Sequence, residues 1–423
     1  MSILLRQVKV VDSASAFNNK VVDILIENGK ISEISKSITK KARKIIAIKS
    51  LHTAPGFVDV FADYREPGYE HKETIQTGLK VAAAGGFTDV LLVPNTAPTL
   101  STKSAIQFIL KKAAGDIVVL HPFGSITQNI EGKTLAEMLD MKHHGAIAFT
   151  DGWKPLQNAN LMLKALEYVK AFDGVVVQIP LDTSLSEGGL MHEGAVSTKI
   201  GMSGVPVLAE TTLLQRDIEL LRYTNSRLHV TGISTEEGVN QIRKAKKEGL
   251  HITCSVTPYH LALTDEALKN YDSVYKVSPV LRSEKDRQAL IKGLKDGTID
   301  CIASHHRPQE WDAKTKEFEY ASDGMNVQEN TFSIVWDTIA DKVPLERVVE
   351  AFSITPRKIF NLPRAEIKEG AIAALSLFLP DSTTVLQEKN IQSLSRNNPF
   401  ISKELKGKIV GIIHKNQSSL NTI

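Results

Sequence analysis

Between about residue 55 and residue 304, short apolar β-rich runs alternate with stretches of helical periodicity. The strands are expected at 55–60, 87–93, 117–121, 145–149, 174–178, 227–231, 251–256 and 300–304. The helices are expected over 73–84, 103–113, 157–171, 211–223, 235–247 and 283–295. Strands that alternate with helices make a parallel α/β fold, and eight of them match a (β/α)8 barrel. Such barrels carry their chemistry at the C-terminal ends of the strands, so functional residues have to be sought there.

At 423 residues the chain exceeds what one core fills, so a smaller appendage beside the barrel is expected. Short β-rich runs occupy 3–11, 21–27, 31–34 and 45–48, with Asn28-Gly29 as a hairpin signal, and similar runs return at 370–378 and 409–413. The 51 basic and 48 acidic residues leave a net charge of +3, which speaks against a nucleic-acid or membrane partner. Cys254 and Cys301 lie in apolar strand-like runs and read as buried thiols in a reducing compartment. The N-terminus lacks the features of a signal peptide and no apolar run reaches the ~18 residues of a membrane span, so a cytoplasmic protein is expected. The Lys40 to Lys44 cluster, His143-His144 and His192-Glu193 read as surface positions.

The first barrel strand runs through Pro55-Gly56-Phe57-Val58-Asp59-Val60-Phe61-Ala62 and breaks off in Asp63-Tyr64-Arg65-Glu66-Pro67-Gly68, as a buried strand does when it delivers side chains to a site. Lys72-Glu73-Thr74, Ala82-Ala83-Ala84-Gly85-Gly86-Phe87-Thr88 and Pro94-Asn95-Thr96 follow. Further on stand Gly145-Ala146-Ile147-Ala148-Phe149-Thr150-Asp151-Gly152, Gly204-Val205-Pro206, Arg227-Leu228-His229-Val230, Thr257-Pro258-Tyr259-His260-Leu261 and Asp296-Gly297-Thr298-Ile299-Asp300. In order and spacing, along nearly the whole chain, these resemble the dihydroorotases of the amidohydrolase superfamily, of the multifunctional-complex type. The resemblance implies a metal-dependent-hydrolase barrel over 52–369 and a small β-sandwich in which the two ends, 1–51 and 370–423, join.

In active relatives the first strand supplies two histidine ligands, the fourth an acidic or modified lysine ligand, the fifth and sixth one histidine each, and the eighth a catalytic aspartate. Carried over residue by residue, the resemblance puts Phe61 and Asp63 at the first-strand positions and Asp151 at the fourth, followed by Gly152 where the family has paired aspartates. It puts Gln178 at the fifth, Gly232 at the sixth, His305 in the aspartate's place and Gln309 in that of a further histidine. Hydrolysis of a cyclic amide needs a metal-activated water and a carboxylate that shuttles the proton. Phenylalanine cannot coordinate zinc, glycine has no side chain, and histidine titrates in a different range from aspartate. No catalytic residue and no cofactor is therefore expected. Arg65 and Asn95 match the residues that hold the substrate carboxylate; without that role Arg65 would pair with Asp63 or Glu66, and Asn95 would cap a turn before Pro98.

The leading expectation is a non-catalytic dihydroorotase homologue of pyrimidine biosynthesis, a homodimer that serves aspartate carbamoyltransferase as a structural partner. Phe61 and Trp153 would then plug the barrel mouth. Against it stands an enzyme with a rearranged centre, in which Asp63, Asp151 and His305 hold zinc, joined by His306 or His260. If no metal binds, Asp63 and His305 would share a charge-assisted hydrogen bond. A third reading is a binding protein whose Arg65 and Asn95 grip a small carboxylate ligand.

Overall fold

The computed structural model describes residues 2–421. Its barrel strands are Phe57–Ala62, Phe87–Leu92, Val119–Pro122, Val176–Gln178, Leu228–Thr231, Ile252–Val256 and Cys301–Ile302, all in parallel register. The fourth strand, expected at 145–149, is reduced to bridges from Phe149 to Gly124 on one side and Val176 on the other. Its backbone still pairs, since Ile147 donates to the Pro122 carbonyl and Phe149 to that of Val175, each at 3.0 Å. The ring closes where Ala62 bridges His306 and where buried Asp59 accepts the Ser304 N–H at 2.9 Å and the Gln328 amide at 2.6 Å.

Strand alternation divides the apolar residues into two cores. Val58, Val60, Leu91, Val177, Cys301 and Ala303 fill the barrel interior, whereas Phe57, Phe87, Leu120, Val176 and Ile252 pack beneath the surrounding helices. Between Asp59 and Ala62 the register with the second strand slips, and Phe61 joins Val60 in the interior core. That irregularity aims Phe61 into the mouth.

The expected helices form as Ile75–Ala84, Lys103–Lys112, Ala159–Lys170, Leu208–Thr224, Glu236–Lys247 and Glu284–Asp296. Thr74, Thr102, Asn158, Thr235 and Ser283 each start one by accepting a backbone N–H from its first turn. Helix Thr331–Ile339 leaves no helical signal in the sequence, because most of its faces are buried and it has no polar stripe to announce a period. Its Phe332 lies between Phe57 and Phe378, with ring centroids 5.9 and 5.1 Å away.

Strands from both ends of the chain build one sheet in the order Gln417–Leu420, Glu404–His414, Ala374–Val385, His52–Pro55, Ser2–Val10, Val21–Glu27, Lys30–Ser35, with Lys44–Ile46 on Ser2–Val10. Ile3, Leu5, Ile24, Leu375 and Ile413 give it a core of its own. Asn28 and Gly29 both take positive φ, 50° and 77°, as a tight hairpin turn requires. The strand expected over 55–60 is in fact two. His52–Pro55 runs antiparallel to Ala374–Val385, and the barrel strand begins at Phe57. The step falls at Gly56, where a Cβ would stand 2.1 Å from Thr88 Oγ1.

Candidate site at the barrel mouth

The strand ends bring Phe61, Asp63, Trp153 and His305 together. The Phe61 ring lies 4.5 Å from that of His305 and 5.0 Å from that of Trp153, and Trp153 and His305 are 5.4 Å apart. The Arg307 guanidinium sits 4.6 Å from the indole centroid. Asp63, fully buried, accepts the indole N–H of Trp153 at 2.9 Å and pairs with Arg65 at 3.1 Å. Its other oxygen accepts the Arg65 main-chain N–H at 3.0 Å. The carboxylate is thus compensated by a guanidinium and two N–H donors.

His305 makes no hydrogen bond with Asp63, contrary to expectation. Its Nε2 shares a 2.7 Å hydrogen bond with Thr231 Oγ1, and its Nδ1 finds no partner. Burial holds this imidazole well below the usual histidine range, helped by His260, His229 and Arg307 nearby, so it is a neutral ring packed on aromatics. The space that would have held a side chain at position 232 is taken: a Cβ on Gly232, which has φ of 73°, would stand 2.7 Å from His305 Cε1.

Asp151 is turned away from the mouth. One oxygen accepts the N–H groups of Ile126 and Thr127, both at 2.9 Å, and the other accepts the Thr127 hydroxyl at 2.5 Å. Burial raises its pKa and these donors only partly offset the effect. Asp63, Asp151 and His305 therefore do not converge, and the three-ligand centre considered from the sequence is not formed. Asn95 does not cap a turn before Pro98. It donates to the Asp151 carbonyl and accepts the Trp153 N–H, both at 3.1 Å, and so holds the loop that carries the indole. A Cβ on Gly152, at φ 59°, would come within 1.7 Å of the Asn95 amide oxygen. Arg65 pairs with Asp63 and gives its Nε to the Pro308 carbonyl at 3.3 Å, so both residues matched to a substrate carboxylate are engaged by the protein itself. Gln178 clamps Leu156, accepting its N–H at 3.2 Å and donating to its carbonyl at 3.1 Å. Gln309 donates to the Asp323 carbonyl at 2.6 Å and accepts from Lys72 at 2.8 Å.

Other histidines are structural. His260 bridges Thr257 Oγ1 at 2.8 Å and the Val280 carbonyl at 3.1 Å, and burial lowers its pKa to about 4. His229 lies between Thr253 and Ser255 in the barrel, and burial lowers its pKa to about 3. His306 is fully buried with neither ring nitrogen hydrogen-bonded, 3.8 Å from the Glu73 carboxylate. His192, read as a surface residue, is buried, its ring 3.3 Å from Arg282. Its strand, Met191–His192, is only two residues long and leaves no period to read. The Arg307 contact with Trp153 had no sequence signal either, since the two residues meet only through the barrel's closure.

Both His229 and His260 have folded pKa values below the unfolded one, so each favours folding above about pH 6.5 and loses that contribution as pH falls toward the folded value. Between those limits each costs about 1.4 kcal/mol per pH unit. In a histidine-ring NMR titration from pH 7 to 5, His229 and His260 are expected to stay neutral; protonation of either above pH 5.5 would contradict their placement.

Among the described residues no three histidine, cysteine, aspartate or glutamate side chains are grouped to hold a metal ion. A zinc ion does not fit this mouth. Asp151's oxygens and His305's Nε2 are committed to Ile126, Thr127 and Thr231, and Phe61 offers no donor atom.

Residues 52–238 match the family model described as Dihydro-orotase-like. Among similar proteins, the dihydroorotase of Syntrophus aciditrophicus is 39% identical over 97% of each chain, and that of Geobacter metallireducens 37% over 96% of each. Among solved structures, the L-hydantoinase of Arthrobacter aurescens superposes with a TM-score of 0.87 at 22% identity, covering 99% of this chain and 97% of that one. The dihydropyrimidinase of Brevibacillus agri gives 0.84 at 20%, covering 100% and 95%. These two share the fold, a (β/α)8 barrel with a β-sandwich. Identity maintained along the full length, on this barrel and this terminal sheet, places the chain in the dihydroorotase family of amidohydrolases.

Proposed function

We propose that this chain is a dihydroorotase homologue of pyrimidine biosynthesis that has lost the hydrolytic centre and acts as a structural partner of aspartate carbamoyltransferase. The observation that carries this reading is the packing of Phe61, Trp153 and His305 on one another at the mouth, ring to ring within 5.4 Å. On the family's pattern Phe61 and His305, together with Asp63, Asp151, Gln178 and Gly232, stand at the ligand and proton-shuttle positions. Each is now spent on packing or on a local hydrogen bond, so activated water would have neither a place nor a base.

Such a replacement costs catalysis but leaves the fold supported. Asp63 is neutralised by Arg65, and the volume in front of Gly232 is filled by His305. A scaffold kept in this way suits assembly, and the family supplies the partner by analogy. The same reading makes the protein a cytoplasmic homodimer without a metal cofactor.

The test is coupled. Protein purified without chelators is assayed for zinc, for dihydroorotate hydrolysis and for carbamoyl aspartate cyclisation, and then mixed with the aspartate carbamoyltransferase of the same organism on a sizing column. Zinc well below stoichiometric, no turnover with added zinc, and co-elution with the transferase are expected. Stoichiometric zinc with turnover would overturn the loss of chemistry, and separate elution would overturn the partnership.

A further inference from the structure

A cavity of about 640 Å³ lies away from the mouth, lined by residues of helix Ile75–Ala84, the start of helix Thr331–Ile339 and the hairpin of Ala374–Val385 and Glu404–His414. This is the size of a small-molecule site. Lys80, Lys389 and Lys408 line it, and among the described residues none of the three forms an ion pair. Asn330 lines it as well. That residue is 5% exposed, accepts from Asn398 through its amide oxygen at 3.2 Å, and has no acceptor for its amide nitrogen. It stands at the N-cap of a nine-residue helix without capping it through its side chain, so the helix's positive end borders the same space.

Two acids in the lining, Asp116 and Glu329, offset the three lysines in part. Asp116 accepts the Val118 N–H, and Glu329 accepts the Gln392 N–H while burial pushes its carboxyl up to about 7, which withdraws part of its charge near neutral pH. Leu79 and Ile409 provide apolar wall. A dianionic group with acceptor-only oxygens is the complement of three free ammonium groups.

We propose that this cavity binds a phosphorylated metabolite of nucleotide size, its phosphate held by Lys80, Lys389 and Lys408 and its body against Leu79 and Ile409. The site is separate from the barrel mouth, and the inference does not rest on the function proposed above. Calorimetry on the full chain at low salt, with a nucleoside monophosphate, the matching nucleoside and inorganic phosphate, tests it. Saturable binding of the monophosphate is expected, at least tenfold tighter than that of phosphate or nucleoside. It should weaken at least tenfold in the Lys80→Ala, Lys408→Ala double variant, whose changes lie at lysines and spare the core. No saturable heat from the monophosphate, equal affinity for the nucleoside, or indifference to the lysine changes would overturn the assignment.

Discussion

Gly232→His, which places an imidazole at the end of the sixth strand, is expected to lose about 2–4 kcal/mol of stability and to bind no metal. Two effects add. The position has a φ of 73°, where a side chain is strained, and a Cβ would stand 2.7 Å from His305 Cε1 in a filled interior. His305 cannot move aside easily, because it is held by Thr231 and enclosed by Phe61 and Trp153. The cost should therefore be non-additive with a change that makes room. In chemical denaturation, His305→Ala combined with Gly232→His should recover about 1–2 kcal/mol relative to the sum of the single losses. Strict additivity would mean that His305 does not fill the space in front of Gly232.

The second large effect lies below the mouth, where the barrel meets the terminal sheet. Arg357 pairs with Asp89 at 2.6 Å and donates to the Gly56 carbonyl at 3.0 Å, while Asp89 also meets His121 at 2.9 Å. Burial raises the Asp89 pKa, but the Arg357 and His121 charges outweigh it and leave the carboxyl well below its usual range. Arg357→Met would leave a buried carboxylate without its main partner, at a cost of about 3–5 kcal/mol. Burial would then dominate, so the folded pKa of Asp89 would rise above the unfolded one, and the variant should lose less at pH 5 than at pH 8. A loss under 1 kcal/mol, or one independent of pH, would show that the pair is not what secures the step at Gly56. Arg357→Met with Asp89→Asn should recover part of the loss, since no charge is then stranded.

Much of this protein could be read without coordinates. The alternation of apolar runs and amphipathic helices determines the barrel, because a strand of period two and a helix of period 3.6 leave different marks in the chain. Caps such as Thr74 and Ser283 mark where helices begin through one local hydrogen bond. The identities of Phe61 and Gly232 alone determine that these two side chains offer zinc no ligand atom. What they do instead was decided by tertiary structure. That Asp63 meets Trp153 and Arg65 rather than His305, that Asp151 faces Ile126 and Thr127, and that Arg307 covers the indole depend on residues far apart in sequence meeting at the closed end of a barrel. A side chain's partner is set by the backbone that brings it near and by what else competes for the same donors, and neither is a property of its own stretch of chain.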